Sequence, residues 1–355
     1  MNRELFNFVG KMGMVKQLCL FLLWVSSGFM AMAGEWHVNA HMGNDANPGT
    51  KALPLRTLRE AAFRVNFSAA RGVDTILLSD GVHLLTETVL FNNDKYGKEG
   101  RLVIRAEVLP DEAGWSPQRM PIIVTVVPVK ANGDGEEARG IEIEVSHVTI
   151  EGIRFTGSPD YYYIDGRQNR RSYPIWRNGK SLDDLLVTQC MFVGNIDVMP
   201  LRVAIIANGQ GLVVDHCVFY TCENPVVFGD EEGGPSRRDA MRYCVVYGAH
   251  YSGVWTTKGT GDDFEFHHNI IAAGRAAWIS DNRQIKFKVH DCVFVGNERL
   301  TANGGNAEIP SDFLQMENVR REGMVEIEKD MGKKNYLQVK DGTPGAELGA
   351  GLFRK

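Results

Sequence analysis

Six segments between Val148 and Asn297 share one register, and that register restricts the fold more than any other feature of the chain. VTIEGIRFTG starts at Val148, LLVTQCMFVG at Leu185, LVVDHCVFYT at Leu212, AMRYCVVYGA at Ala240, FEFHHNIIAA at Phe264 and FKVHDCVFVG at Phe287. They align without a gap once Ile153, Cys190, Cys217, Cys244, Asn269 and Cys292 share a column, at intervals of 37, 27, 27, 25 and 23 residues. Apolar residues recur three positions before that column (Ile150, Val187, Val214, Met241, Phe266, Val289) and two after it (Phe155, Phe192, Phe219, Val246, Ile271, Phe294). Alternation within each segment predicts strands, and a fixed period of this length predicts stacked repeats. Each coil of such a solenoid lays its strands on the coil before, at ~4.8 Å.

The columns assign faces. Phe192, Phe219, Phe266 and Phe294 point into the core, and the cysteines beside them pack as small apolar side chains. Asn269, in the cysteine column, suits an inner turn where its amide bonds the backbone of neighbouring coils. With no CxxC pair and no zinc spacing, the five cysteines from Cys190 onward read as buried thiols, and a bridge from Cys217 to Cys190 or Cys244 stays open. His267 falls in an outward column with Thr188, Asp215, Arg242 and His290. Asp215 beside Arg242 predicts a cross-coil ion pair, so His267 and His290 read first as a surface ladder and only second as catalytic or metal groups. His268 shares a column with Gln189, His216 and Tyr243 next to a turn.

This register resembles that of secreted right-handed parallel β-helix proteins of the pectin-lyase-like kind. The fold class it implies is all-β, a right-handed parallel β-helix solenoid with an N-terminal capping helix. The stretch WHVNAHMGNDANPGTKALPLRTLREAAFRV from Trp36 resembles the opening segment of many such proteins: a strand, a turn-rich loop, then the helix. Thr57 suits an N-cap with Glu60 three residues on, and Leu58, Ala61, Ala62 and Val65 recur at helical spacing. YLQVKDGTPGAELGAG from Tyr336 resembles a closing strand and turn. Residues 1–33 read as a signal peptide: Lys11 and Lys16 precede the apolar run Leu18 to Val25, and Ala31 and Ala33 offer a cleavage site. The expected organisation is a single domain over 34–355, with a capping segment 34–72, regular coils over about 139–300 and a closing segment 301–355. A protein so processed is secreted or periplasmic, with no membrane span in the mature chain. The net charge of −5 gives no basic field for nucleic acid and no polybasic face for a membrane.

Each coil holds a further strand: VAIIANG from Val203, PVVFGDE from Pro225, GVWTTKG from Gly253 and AAWISDN from Ala276. With Ile206, Phe228, Trp255 and Trp278 as the inward column, their ends gather Asn208, Asp230, Glu231, Lys258, Asp281 and Asn282. The resemblance implies that a carbohydrate groove runs along this strand face. Two long excursions supply Tyr162, Trp176, Arg167, Arg170 and Arg171, and then Arg237; aromatic and guanidinium groups suit sugar rings and uronate carboxylates.

Two chemistries fit these residues. In β-elimination Lys258 is the base, with Asp230, Glu231 and Asp281 as oxygen ligands for Ca²⁺. In glycoside hydrolysis Asp230 and Asp281 are the carboxylate pair, two coils and so about 9–10 Å apart at their backbones, nearer an inverting than a retaining arrangement. A third reading makes Asp230, Lys258 and Asp281 a salt-bridge ladder with no chemistry. The expectation is a secreted carbohydrate-active protein that cleaves or binds an acidic polysaccharide, with the lyase reading ahead of the hydrolase. The alternative is a non-catalytic β-helix for carbohydrate binding or surface adhesion.

Overall fold

The structure is a computed structural model that describes residues 34–69, 71–97, 100–127, 130–132, 135–158, 170–229 and 236–354. The signal-peptide reading therefore lies outside the described residues. Among the described residues no helix is long and apolar enough to cross a membrane.

Strand pairing follows three parallel ladders, which form the three walls of a solenoid. The first wall runs from Glu35–Val38 through Leu185–Thr188, Leu212–Asp215, Ala240–Arg242 and Glu265–His267 to Leu314–Arg320. The second runs from Gly81–Leu85 through Met191–Val193, Val218–Tyr220, Val245–Tyr247 and Ile270–Ala272 to the end of Phe287–Val295. Together they form a 17-stranded sheet. The third wall, a 9-stranded sheet, runs from Val89–Phe91 through Arg170–Arg177, Val203–Ala207, Asn224–Phe228, Ser252–Thr256 and Ala276–Ser280 to Arg299–Ala302. All-β architecture with one short α-helix is thus the observed class.

The column read from sequence is the column observed. Val187 pairs with Val214, Val214 with Met241, Met241 with Phe266 and Phe266 with Val289. Phe192, Phe219, Phe266 and Phe294 are buried. Phe155, Phe192 and Phe219 stack nearly parallel, with centroids 4.9 and 4.8 Å apart, because the coil spacing delivers offset-stacked rings. All five described cysteines are thiols and buried. The Cys190, Cys217 and Cys244 thiols each donate to a carbonyl of the preceding coil, and burial together with the neighbouring Cys190 and Cys244 pushes the Cys217 thiol well up.

Asn269 is fully buried; its amide accepts from Cys244 N at 2.9 Å and donates to Met241 O at 2.7 Å. Asn269→Leu strands the buried Cys244 N–H, at an expected cost of about 2 kcal/mol measured by denaturant unfolding. An unchanged midpoint would mean that the bridge contributes nothing.

Two regions depart from the sequence reading. The register continues past Asn297: Leu314–Arg320 pairs with Phe287–Val295, and Arg299–Ala302 with Ala276–Ser280. With no further coil stacked on it among the described residues, the last first-wall strand leaves Gln315, Met316, Glu317 and Asn318 exposed, so its alternation dissolves. The Tyr336 segment adds no closing strand to either sheet; it makes an isolated antiparallel bridge, Ile327 to Val339. Val325, Ile327, Tyr336, Leu337 and Leu352 instead pack on the outer face of the second wall, over Met191, Val218, Val245, Ile270 and Val293. Arg354 then pairs with Glu151 at 2.8 Å, so the C-terminal segment lies lengthwise across successive coils.

At the start of the chain, Leu58–Phe67 is a helix with Thr57 as N-cap, its hydroxyl accepting from Glu60 N at 3.1 Å. Only half of a capping box forms, because Glu60 binds Arg64 at 2.8 Å instead of reaching back. Leu58, Ala61, Ala62 and Val65 are buried in the main core.

Candidate functional site on the nine-stranded sheet

The outer face of the third wall is where sequence and structure first disagree in detail. Trp176, Ile206, Val227, Trp255, Ile279 and Ala302 pair in sequence as one column. Their strand neighbours Ile205, Ala207, Val226, Phe228, Val254 and Trp278 belong to the main core. Ile206 and Trp255 therefore face outward, while Phe228 and Trp278 face inward, one step out of register with them. The two tryptophans mislead: pairing them by identity shifts the strand by one residue, which swaps the faces.

That shift puts a Trp on the surface. Trp255 is half-buried and stacks against Tyr251 at 5.7 Å, with Ala276, Ile279 and Ala302 in an apolar patch beneath. The Tyr251 hydroxyl donates to Gly304 O, in the turn that follows Arg299–Ala302. Burial and the nearby Glu223 carboxylate hold the Tyr251 phenol up, so it stays a neutral donor. Further along the wall the Arg139 guanidinium lies 3.9 Å from the Trp176 ring centroid, between Glu137 at 2.9 Å and Glu142 at 2.6 Å. Arg202 pairs with Glu223 at 2.9 Å, and Arg275 faces Glu298 at 3.9 Å. Rings interleaved with charged pairs can hold sugar faces and carboxylates together.

The predicted residues scatter around this platform. Asp281 is half-buried, and its Oδ2 accepts from Trp255 Nε1 at 2.7 Å. Lys258 is exposed in the turn after Ser252–Thr256 and forms no ion pair among the described residues. The Lys258–Asp281 rung of a salt-bridge ladder is therefore missing. Asn208 bonds Arg177 through its backbone, its carbonyl accepting from Nε at 2.6 Å, and Asn282 Oδ1 accepts from Gln284 N at 3.0 Å. Arg237, on the connection to the first wall, is already paired with Asp262 and Asp263. Asp230, Glu231, Tyr162 and Arg167 lie outside the described residues. Arg170 and Arg171 lie on Arg170–Arg177, with backbones opposite Glu136 and Glu137.

The calcium set is represented by one described carboxylate, Asp281, which is already engaged by Trp255. Ca²⁺ takes six to eight oxygens, and the two other carboxylates of the set, Asp230 and Glu231, lie outside the described residues. Tyr251, Trp255, Arg139, Arg202 and Glu223 are the residues that sequence reasoning missed. Their signal was present in the Trp255–Ile279 register, but only strand pairing reveals it.

At the bend next to this wall sits a buried polar cluster. Asp239 accepts from Leu212 N at 2.9 Å and from the Ser236 hydroxyl, and burial pushes its carboxyl up to about 6. Arg177 is buried too, its pKa lowered to about 10 by burial, and its two terminal nitrogens have no hydrogen-bond partner among the described residues.

The other walls are less available. The second is covered by the C-terminal segment. The first carries the predicted surface ladder: Arg242 pairs with Asp215 at 3.1 Å, and the His267 and His290 rings stack at 5.0 Å. Burial, then the neighbouring His290, His268 and Arg242, lower the His267 pKa and favour the neutral ring.

No protein-family profile matches the chain, and no curated protein matches its sequence. Solved structures do match. The native GH136 lacto-N-biosidase from Eubacterium ramulus is 13% identical with a TM-score of 0.50, over 81% of this chain and 56% of that one. A rhamnogalacturonan lyase is 12% identical with a TM-score of 0.50, over 78% of this chain and 71% of that one. The chain thus spans little more than half the length of the lacto-N-biosidase it matches. At these identities the likeness concerns architecture. With the three parallel ladders, it identifies the chain as having the pectin-lyase-like parallel β-helix fold.

Proposed function

We propose that the protein is exported and takes an acidic polysaccharide along the outer face of the nine-stranded sheet, cleaving it by β-elimination. The Tyr251–Trp255 platform, flanked by paired arginines and carboxylates on the third wall, carries this reading. The winding is taken as right-handed, the usual hand of parallel crossovers, with helix Leu58–Phe67 closing the N-terminal end. The names of the two solved relatives, one a glycosidase and one a lyase, support a carbohydrate substrate.

In the elimination, Lys258 takes the proton α to the uronate carboxylate. The electron pair forms the carbon–carbon double bond, the glycosidic C–O bond at the β carbon breaks, and the leaving oxygen takes a proton from water. Asp281 acts here through Trp255, fixing the indole on which a sugar ring stacks. The test is a panel of uronate polysaccharides with and without Ca²⁺. Unsaturated product absorbing in the ultraviolet, lost in Lys258→Ala, is expected. Reducing ends without that absorbance, lost in Asp281→Asn and Asp230→Asn, would replace the lyase with a hydrolase.

One observation favours a second reading, sugar binding without cleavage: Asp281 is occupied by Trp255 and Lys258 stands apart from it. Retention on uronate glycans with no product would establish it. In either case Trp255→Ala weakens glycan binding several-fold, the loss of about 0.5–1.5 kcal/mol of stacking, measured by affinity electrophoresis. Unchanged retention would move the sugar off this wall.

A further inference from the structure

We propose that His268, His290 and Asp291, on the first wall, bind a divalent transition-metal ion, zinc before others. One ligand atom from each lies within 4.8 Å of the other two, and all three residues are half-buried. Tetrahedral zinc at about 2.0–2.1 Å needs donors about 3.3 Å apart, a closure that side-chain rotation at a half-open surface can supply.

The solenoid builds this group from two adjacent columns. His290 pairs with His267 on the preceding coil. His268 follows the strand Glu265–His267 and Asp291 sits at the matching bend within Phe287–Val295, each in the left-handed region at φ 54 and 53. Residues far apart in local spacing thus meet because coil spacing stacks them.

Hydrogen bonds already orient the donors. His290 Nδ1 lies 2.8 Å from Asp291 Oδ2; the carboxylate accepts, so Nδ1 carries the hydrogen and the Nε2 lone pair is left for a metal. His268 Nδ1 lies 3.0 Å from His267 Nδ1, and with the hydrogen of that contact on His268 its Nε2 lone pair is left as well. Asp291 Oδ1 also accepts from Asn318 on the next coil, and each carboxylate oxygen keeps a second lone pair. Such outer contacts fix tautomer and orientation at histidine metal sites.

The chemistry selects the ion. Two imidazoles and one carboxylate suit zinc and its neighbours, with a fourth position open to solvent. Calcium prefers an all-oxygen shell, so it is not the ion of this site. Arg242, which pairs with His267 in the outward column, is matched by Asp215 at 3.1 Å and Glu265 at 3.6 Å. The site stands on a different wall from the sugar platform, so its failure leaves the proposed function untouched.

The test uses the tag-free mature chain and Zn²⁺ alone, by isothermal titration with metal analysis after dialysis. One equivalent is expected. His268→Ala and His290→Ala each weaken binding by about tenfold or more, while His216→Ala, on the same bend two coils before His268, leaves it unchanged. Zinc-edge absorption spectroscopy of the unaltered protein should show two imidazoles and oxygen, a readout that needs no variant to fold. No bound zinc, a thiolate shell, or full binding by the folded His268→Ala/His290→Ala double variant would overturn the site and leave an aromatic stacking ladder.

Discussion

Phe219→Asp leaves the chain without a cooperative fold. Phe219 is fully buried, with Phe192 stacked on it at 4.8 Å and Val246 as its partner on the following coil. A carboxylate there has no cation to pair with. Ionised or protonated, it costs several kcal/mol on top of about 3–5 kcal/mol for the lost ring. Together these approach the whole stability of a typical domain, about 5–15 kcal/mol. The expected result is aggregated or unfolded protein by size-exclusion chromatography and far-UV circular dichroism. Phe219→Leu keeps apolar bulk and should unfold cooperatively at a cost of about 1–2 kcal/mol. A soluble, cooperatively unfolding Asp variant would show that this column does not face the interior.

Stability should fall as pH rises from about 4 to above 6, through Asp239. Burial raises its folded carboxyl to about 6, above the unfolded value of 3.8. The folded chain therefore holds this proton more tightly than the unfolded chain. The stabilisation is full below the unfolded value and is lost as pH climbs through the folded one. It amounts to about 3 kcal/mol. His83, His250 and His267, whose pKa values are lowered chiefly by burial, oppose this slope. Their stabilisation is present above 6.5 and fades as pH falls through their folded values. Asp184 and Asp215, held low by Arg101 and His147 and by His216 and Arg242 against the cost of burial, matter only below about 4. Comparison with Asp239→Asn cancels these common contributions. The difference in unfolding free energy between pH 4 and 7 should shift by about 2.4 kcal/mol. Parallel curves would mean that Asp239 is ionised throughout, with Arg177 as its counter-charge.

The first two walls were legible because their strands alternate strictly and their spacing repeats. Cys190, Cys217, Cys244 and Cys292 marked the phase, and Asn269 declared itself by standing among them. The third wall was not, and the reason is local. Gly253 and Val254 both precede the outward Trp255, while Ala277 and Trp278 both precede the outward Ile279, so a large apolar residue appears on either face. Burial preference cannot separate a core Trp278 from a platform Trp255; hydrogen-bonded register can. The bend was hidden for another reason. Gln189, His216, Tyr243, His268 and Asp291 all take positive φ there, where glycine is the usual choice. Stacking along the bend, as between His216 and Tyr243 at 4.8 Å, holds residues that local preference would place elsewhere.

The C-terminal segment also limits how this molecule can grow. A solenoid has no intrinsic length, since another coil adds about 4.8 Å and repeats the same contacts. Here Phe353 rests edge-on against Trp115 while Gly345 lies against Ile270 and Val293, so one stretch of chain is fastened near both ends of the stack. Duplicating a coil between those fastenings would slide every anchor off its seat. The segment is a gauge: it fits one coil number and makes any other pay in exposed apolar surface.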